Sequence, residues 1–476
     1  MVPVKKGQRF VAASILEIQG VITFKAPYAT SFNCTVPKGS LIIASADQVD
    51  GAEGFEASPD NYKIVEELFV PEDDRISDKY DGFYLVFLEA DIGNLLIPEN
   101  QAHGYLDEEG FKIAASNIIA EKENLLDRYR GIILGTAVGD ALGLPLEGLK
   151  PERVERIVRG SWRHRFLFAI GMISDDTDHT VYVAQSLLLH PTEPEKFARA
   201  LAQRLRWWLA ALPAGIGLAT LKSILRLWIG FKPVNSGVNS AGNGPAMRAA
   251  PIGAFFSNDP TRLNEYIHLC TVMTHKDPRA LTGARAVALI TAWIIMKQPA
   301  GRPEWEELKG LLDEAGNDPE WTELVQKIGE AVKSEKTVKE FALELGSENG
   351  VSGYIYRTVP VAIYSWHRHF GDFERSLISV LALGGDTDTV GAITGALAGA
   401  VTGASGIPAR WTSGIVDWPN GVRLLNRLAT ALAKRTPQME IQPLLKVRWL
   451  GTLVRNIFFL FIVILHVIRR AFPPYK

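Results

Sequence analysis

"GGDTDTVGAITGALAGAVTGA" fills residues 384–404. Small residues at 391, 395 and 399 repeat at helical spacing and suit close helix–helix approach inside a soluble core. Alanine and glycine bury little area, so the run is read as a packed core helix and not as a membrane span. Asp386 and Asp388 stand at its mouth among glycines and hydroxyls. Carboxylates there have two readings, a helix start or a cation site, and the rest of the chain has to choose.

A second acidic stretch, "ISDDTDHT" at 173–180, precedes another helical run, "VYVAQSLLL". Ser, Asp and Thr are favoured caps, and acids suit the positive end of a helix, so either stretch alone reads as a cap. As a pair they offer carboxylate and hydroxyl oxygens, the hard ligands that suit Mg²⁺ or Mn²⁺ better than zinc. If the two stretches meet in space, four carboxylates repel one another unless cations neutralise them.

Three further stretches stand out. "GTAVGDALGLPLEG" (135–148) carries Asp140 on an amphipathic run and Glu147 in the loop that leaves it. "NSAGNGPAMRAAPIG" (239–253) sets Gly242, Asn243 and Gly244 before Pro245, a good first helical residue whose preceding amides suit phosphate. "THKDP" (274–278) puts His275 at a helix end, as a capping residue or a ligand.

At 476 residues the chain exceeds one ordinary core, and three zones are legible. Residues 1–105 hold short β-branched and aromatic runs broken by Gly, Pro, Asn and Asp, read as a β-rich accessory domain. Residues 106–435 carry apolar residues at helical spacing almost throughout, an all-α catalytic domain. Within it the charged stretch 297–336 reads as a peripheral helical excursion. Residues 436–476 form a basic-flanked hydrophobic tail helix: no acid follows Glu440, and Lys446, Arg448, Arg455, Arg469, Arg470 and Lys476 bracket "NIFFLFIVILHVI". Its uninterrupted apolar run, Ile457–Leu465, falls short of the roughly 20 residues of a span. A membrane-associated helix over 449–468 and a hydrophobic helix docked on the protein both stand as readings.

With a net charge of −2, no global field draws the chain to nucleic acid or a membrane, and no nucleic-acid-binding domain is evident. Cys34 and Cys270 make neither a disulfide framework nor a zinc spacing. The first residues lack the continuous apolar stretch of a secretory signal. A cytoplasmic protein is expected.

Taken in order, "GDALGLPLE", "SDDTDHT", "GNGPAMRAAPIG", "TH" and "GGDTDTVGAITGALAGA" resemble the ADP-ribosylglycohydrolase family over about residues 126–435. The resemblance implies an orthogonal helical bundle with two divalent cations, Mg or Mn, in a central cleft. Carried over, Ser174, Asp175 and Asp176 are the first metal loop, with Ser174 where many members have Thr. Asp386, Asp388 and Thr389 are the second. Glu147 approaches metals and substrate, and with Asp175 and Asp386 it is a candidate for the catalytic carboxylate. Asp140, Ser240, Gly242, Asn243, Gly244 and His275 match the substrate-contacting positions, and the resemblance also allows Asp140 a role in holding loops. At "AGIG", Gly215 stands where many relatives place an acid before Ile-Gly, which weakens any assignment to an ADP-ribosylarginine substrate.

The implied reaction is hydrolysis of the C1″ glycosidic bond of an ADP-ribose conjugate, through oxocarbenium character that fixed negative charge favours. The conjugate is an ADP-ribosylated protein, nucleic acid or small molecule. Two rivals stay open: a two-metal phosphoester hydrolase, and a catalytically silent ADP-ribose-binding or crystallin-like protein.

Overall fold

In a computed structural model of the chain, residues 124–472 are described apart from 436–437 and 447. Ahead of residue 124 the description is confined to the backbone of strands and of one helix. The chain divides into two compact units, Met1–Glu123 and Asn124–Lys476. In the first, the strands Leu16–Phe24, Ala29–Val36 and Tyr80–Val86 pair antiparallel about the first of them. Arg9–Ala12 pairs antiparallel with Leu41–Ile43 and Leu96–Pro98, and Gly54–Glu56 with Tyr80–Val86. The other residues of the expected β-rich accessory domain, residues 1–105, lie outside the described residues.

The second unit is all-α among its described residues: helices and isolated backbone bridges, with no strand. Eight helices frame or brace the cleft: α1 (Glu108–Gly143), α2 (Asp175–Leu189), α3 (Pro194–Ala210), α4 (Leu218–Trp228), α5 (Pro278–Lys297), α6 (Ile355–Arg368), α7 (Thr387–Thr402) and α8 (Trp449–Arg469). α5 starts where Asp277 accepts from the Arg279 amide, and it is apolar on every side because it runs through the core. Ala284, Val287, Ile290 and Ile294 are fully buried there. Two helices among the described residues, α5 and α8, are long and apolar enough to cross a membrane. For α5 the core supplies the explanation.

The seam between α1 and α7 fixes the architecture. Gly131, Gly135 and Gly139 of α1 lie against Gly399, Gly395 and Gly391 of α7 in antiparallel register, and Gly143 lies against Thr387. A Cβ on Gly135 would sit 2.1 Å from the Gly395 carbonyl oxygen, and one on Gly139 2.0 Å from that of Gly391. The helices touch backbone to backbone, the approach that the spacing of 391, 395 and 399 predicts. Antiparallel packing brings the start of α7, with Asp386 and Asp388, to the end of α1, just before Glu147.

The charged excursion departs from expectation. Its helices, Trp305–Ala315 and Pro319–Lys333, bury Leu308, Leu312, Trp321 and Ile328 completely in the main core and expose only their polar faces. A helix needs only one apolar stripe to join a core, so its overall polarity misleads. Along the tail, α8 lays one face on the second unit: Thr452, Arg455, Asn456, Phe459, Ile462 and His466 are buried. Phe459 and Ile462 pack with Phe166 and Met172.

Candidate functional site

Each acidic loop is shaped by its own hydrogen bonds. Ser174 caps α2, its Oγ accepting from the Asp176 amide at 3.3 Å and donating to Asp176 Oδ2 at 3.1 Å. Asp140, fully buried near the end of α1, supports this turn from below. Its Oδ2 accepts from the Ser174 amide at 2.8 Å, from the Thr177 amide at 3.2 Å and from Thr177 Oγ1 at 2.5 Å. The structure therefore places Asp140 beneath the loop, where its Oδ2 holds the turn.

The second loop is clasped from both sides. The Gly385 amide donates to the Leu149 carbonyl at 2.8 Å, the Gly148 amide to the Gly385 carbonyl at 2.7 Å, and the Asp386 amide to the Val351 carbonyl at 2.7 Å. Gly384 and Gly385 take φ of +70° and +80°, and a Cβ on either would strike the clasping backbone at 2.3 Å or 2.1 Å. No other residue type fits the turn. It delivers Asp386 and Asp388 to the start of α7.

The two loops meet. Thr389 Oγ1 donates to Asp176 Oδ2 at 3.3 Å, across 213 residues of chain. Carboxylate oxygens of Glu147, Asp386 and Asp388 lie within 4.8 Å of one another, with Glu147 exposed, Asp386 half-buried and Asp388 buried. Asp175 stands half-buried at the head of α2, and Asp176 is buried behind it.

The acids answer to burial and to one another. Burial, offset by the Thr177 and Ser174 hydrogen bonds, raises Asp140 to about 7. Burial followed by the charges of Asp140, Glu147 and Asp178 raises Asp175 to about 8. Asp176 and Asp388 are held well above the ordinary range by burial and by their neighbouring carboxylates. Enclosure and then the Asp386 charge also raise Glu147, against the pull of Arg470.

This set fits hard divalent cations. Asp176 Oδ1 and Asp140 Oδ1 are buried without a hydrogen-bond partner, and a buried oxygen left bare is costly. Asp175, Asp176, Asp386, Asp388, Ser174, Thr389 and Glu147 offer only oxygen donors, the choice of Mg²⁺ and Mn²⁺.

The glycine loop forms the facing wall. Asn243 Nδ2 donates to Asp386 Oδ2 at 2.6 Å and to Thr358 Oγ1 of α6 at 3.0 Å, tying the loop to the acids. Ser240 Oγ accepts from the Gly242 amide, and the Asn243 amide donates to the Gly353 carbonyl. Two of the amides expected to face a phosphate are thus engaged within the fold. Pro245 precedes a short 3-10 turn, Ala246–Arg248, and not a long helix, so the turn carries little dipole toward an anion. His275 lies under this loop, with its Nδ1 2.9 Å from Thr274 Oγ1. A Cβ on Gly242 or Gly244 would meet the His275 ring at 3.0 or 3.1 Å, the physical reason for both glycines. Burial, then Arg248, lowers His275 to about 3, so its ring is neutral and serves as a floor.

Sequence reasoning missed the braces behind the site: Thr177, Thr387, Arg248 and the Asp417–Arg455 pair. Thr387 Oγ1 donates to the Gly143 carbonyl at 2.8 Å and closes the glycine seam. Asp417 Oδ2 accepts from the Ile173 amide at 3.0 Å, one residue before the first acidic loop. Arg455, the one charge inside the apolar tail, was the available signal. Gly215 has φ of +77° with open space around it, so an acid there would be strained.

Two acidic loops, at the starts of α2 and α7, meet beside the end of the glycine-packed α1–α7 seam in an all-α bundle, an arrangement that could hold a metal ion. The ADP-ribosylglycohydrolase family model matches residues 121–440. The chain belongs to that family. An uncharacterised protein of Archaeoglobus fulgidus is 34% identical over 313 residues, covering 64% of this chain and 96% of its own length. ADP-ribosylhydrolase ARH3 of Gallus gallus is 28% identical over 350 residues, 63% of this chain and 92% of its own. ADP-ribosylarginine hydrolase Tri1 of Pseudomonas putida is 28% identical over 349 residues, 67% of this chain and 81% of its own.

Proposed function

We propose that the chain hydrolyses the C1″ glycosidic bond of ADP-ribosyl conjugates with a dinuclear Mg or Mn centre. The observation that carries this reading is the contact of Thr389 with Asp176, which joins two acidic loops around buried, unpaired carboxylate oxygens. Asp175, Asp176 and Ser174 from one loop, and Asp386, Asp388 and Thr389 from the other, would hold the ions. Bound there, the ions would supply positive charge that fixes a ribose diol and acidifies water.

The protein groups divide the remaining work. Glu147 is the exposed carboxylate of its cluster, so it suits the acceptance of a proton from the attacking water. The remaining carboxylates favour positive charge building at C1″. Gly242, Asn243 and Gly244 form a bare wall against which ADP-ribose can lie closely, steadied by Asn243 on Asp386 and by the neutral His275 ring.

A panel of ADP-ribosylated arginine, serine and nucleic-acid substrates with Mg²⁺ or Mn²⁺ tests the proposal. Release of free ADP-ribose, lost in Asp386→Ala, is the expected result, with Gly215 disfavouring the arginine conjugate. Release of AMP or phosphate would instead establish a phosphoester hydrolase. Tight ADP-ribose binding without turnover of any conjugate would establish a silent binding protein.

A further inference from the structure

α8 is amphipathic in reverse. Its polar groups point into the protein. Arg455 Nη2 donates to Asp417 Oδ2 at 2.6 Å and to the Ile173 carbonyl at 2.5 Å. Asn456 Nδ2 donates to the Ala211 carbonyl at 2.9 Å, and His466 Nε2 lies 2.9 Å from the Pro145 carbonyl. The opposite face shows Val454, Ile457, Phe458, Phe461, Ile464 and Ile468, each about half exposed or more. These positions follow helical spacing along the whole length, so the apolar stripe is continuous. Soluble surfaces rarely carry a stripe of this size without a partner.

The stripe does not stop at α8. Trp449 meets Trp207 of α3 edge-on at 5.9 Å, and Trp207 meets Trp228 of α4 at 6.0 Å. Trp207 and Trp228 are 39% and 46% exposed. Indole rings at the border of an apolar surface match the interfacial zone of a bilayer, where one side is apolar and the other wet.

We propose that this face docks the enzyme on an anionic lipid bilayer, with α8 lying in the plane of the interface. Charge selects lipid over a second copy of the chain. Lys446 and Arg448 are exposed at one end of α8 and Arg469 at the other, and no acid follows Glu440. Two copies paired through their stripes would set cationic end against cationic end in either orientation, with no acid in the tail to compensate. Anionic headgroups complement both ends at once. A spanning arrangement is excluded by the inward face, because it would strip Arg455 from Asp417, whose side chain is 1% exposed.

Flotation of the full chain with vesicles tests the proposal. The protein is expected to float with vesicles of equal parts phosphatidylglycerol and phosphatidylcholine, and much less with phosphatidylcholine alone. Ile457→Ser/Phe461→Ser/Ile464→Ser is expected to lower the partition coefficient at least about tenfold while keeping the wild-type melting transition and hydrolase activity. Brominated lipid is expected to quench tryptophan fluorescence. Wild-type protein that stays unbound with the anionic vesicles would overturn the proposal. So would a dimer in sedimentation that Phe461→Ser converts to monomer.

Discussion

Gly395→Ala separates two effects of opposite sign. Helix propensity alone favours alanine over glycine by about 1 kcal/mol in a helix interior. The structure argues the reverse, because a Cβ on Gly395 would lie 2.1 Å from the Gly135 carbonyl oxygen. An ordinary carbon–oxygen contact needs about 3.3 Å, so α1 and α7 must part locally by about 1 Å. A gap of that size forfeits a quarter to a half of each contact well along the seam. Backbone stands on both sides and no side chain can swing away, which puts the overpacking penalty at about 3 kcal/mol. The net expectation is a loss of about 2 kcal/mol, read as a shift of the urea midpoint at unchanged slope. Gly310→Ala is the control: this glycine lies in a helix with nothing within 4 Å of an added Cβ, and its replacement is expected to stabilise by about 0.5–1 kcal/mol. Gly395→Ala as stable as wild type, or more stable, would refute the close seam.

Three more outcomes follow from the site and its braces. Arg455→Met strands the buried Asp417 charge and is expected to cost about 3–5 kcal/mol in thermal denaturation, part of it recovered by adding Asp417→Asn. Without divalent ions, stability is expected to fall as pH rises from about 4 toward 8. The folded pKa of Asp175, about 8, lies above its ordinary 3.8, so the fold prefers the neutral acid and loses stability as the acid ionises. Mg²⁺ or Mn²⁺ should therefore raise the melting temperature more at pH 8 than at pH 5, and an equal rise at both would contradict the assignment. Asp176→Asn is expected to abolish most of that rise while leaving the metal-free melt unchanged or higher, since it removes a buried charge.

The parts of the fold legible in the sequence were those with local signatures. Positions 391, 395 and 399 announced a close helix contact, and Ser174 with its following acids announced the start of α2. The partner of the glycine run was not legible. Gly131, Gly135 and Gly139 share its spacing, but only the folded register shows which face meets which. Gly242 and Gly244 read as a phosphate turn, and the His275 ring beneath gives a further reason for glycine that the sequence does not show. The tail left two readings because its apolar run hides its purpose. Arg455, Asn456 and His466 mark the face that binds protein, and that pattern is visible only once Asp417, Ala211 and Pro145 are in place.

The clasp on Gly384 and Gly385 bears on biosynthesis. Its partners come from Gly148, Leu149 and Val351, and the brace at Ile173 comes from Asp417 and Arg455. A chain still on the ribosome, with α7 unmade, holds only the first acidic turn and none of the second. On the proposed reading, a two-loop cation cage would close only after residues 384–389 and the Asp417–Arg455 brace have been made, and a fragment ending before them would have half a cage and no means of closing it.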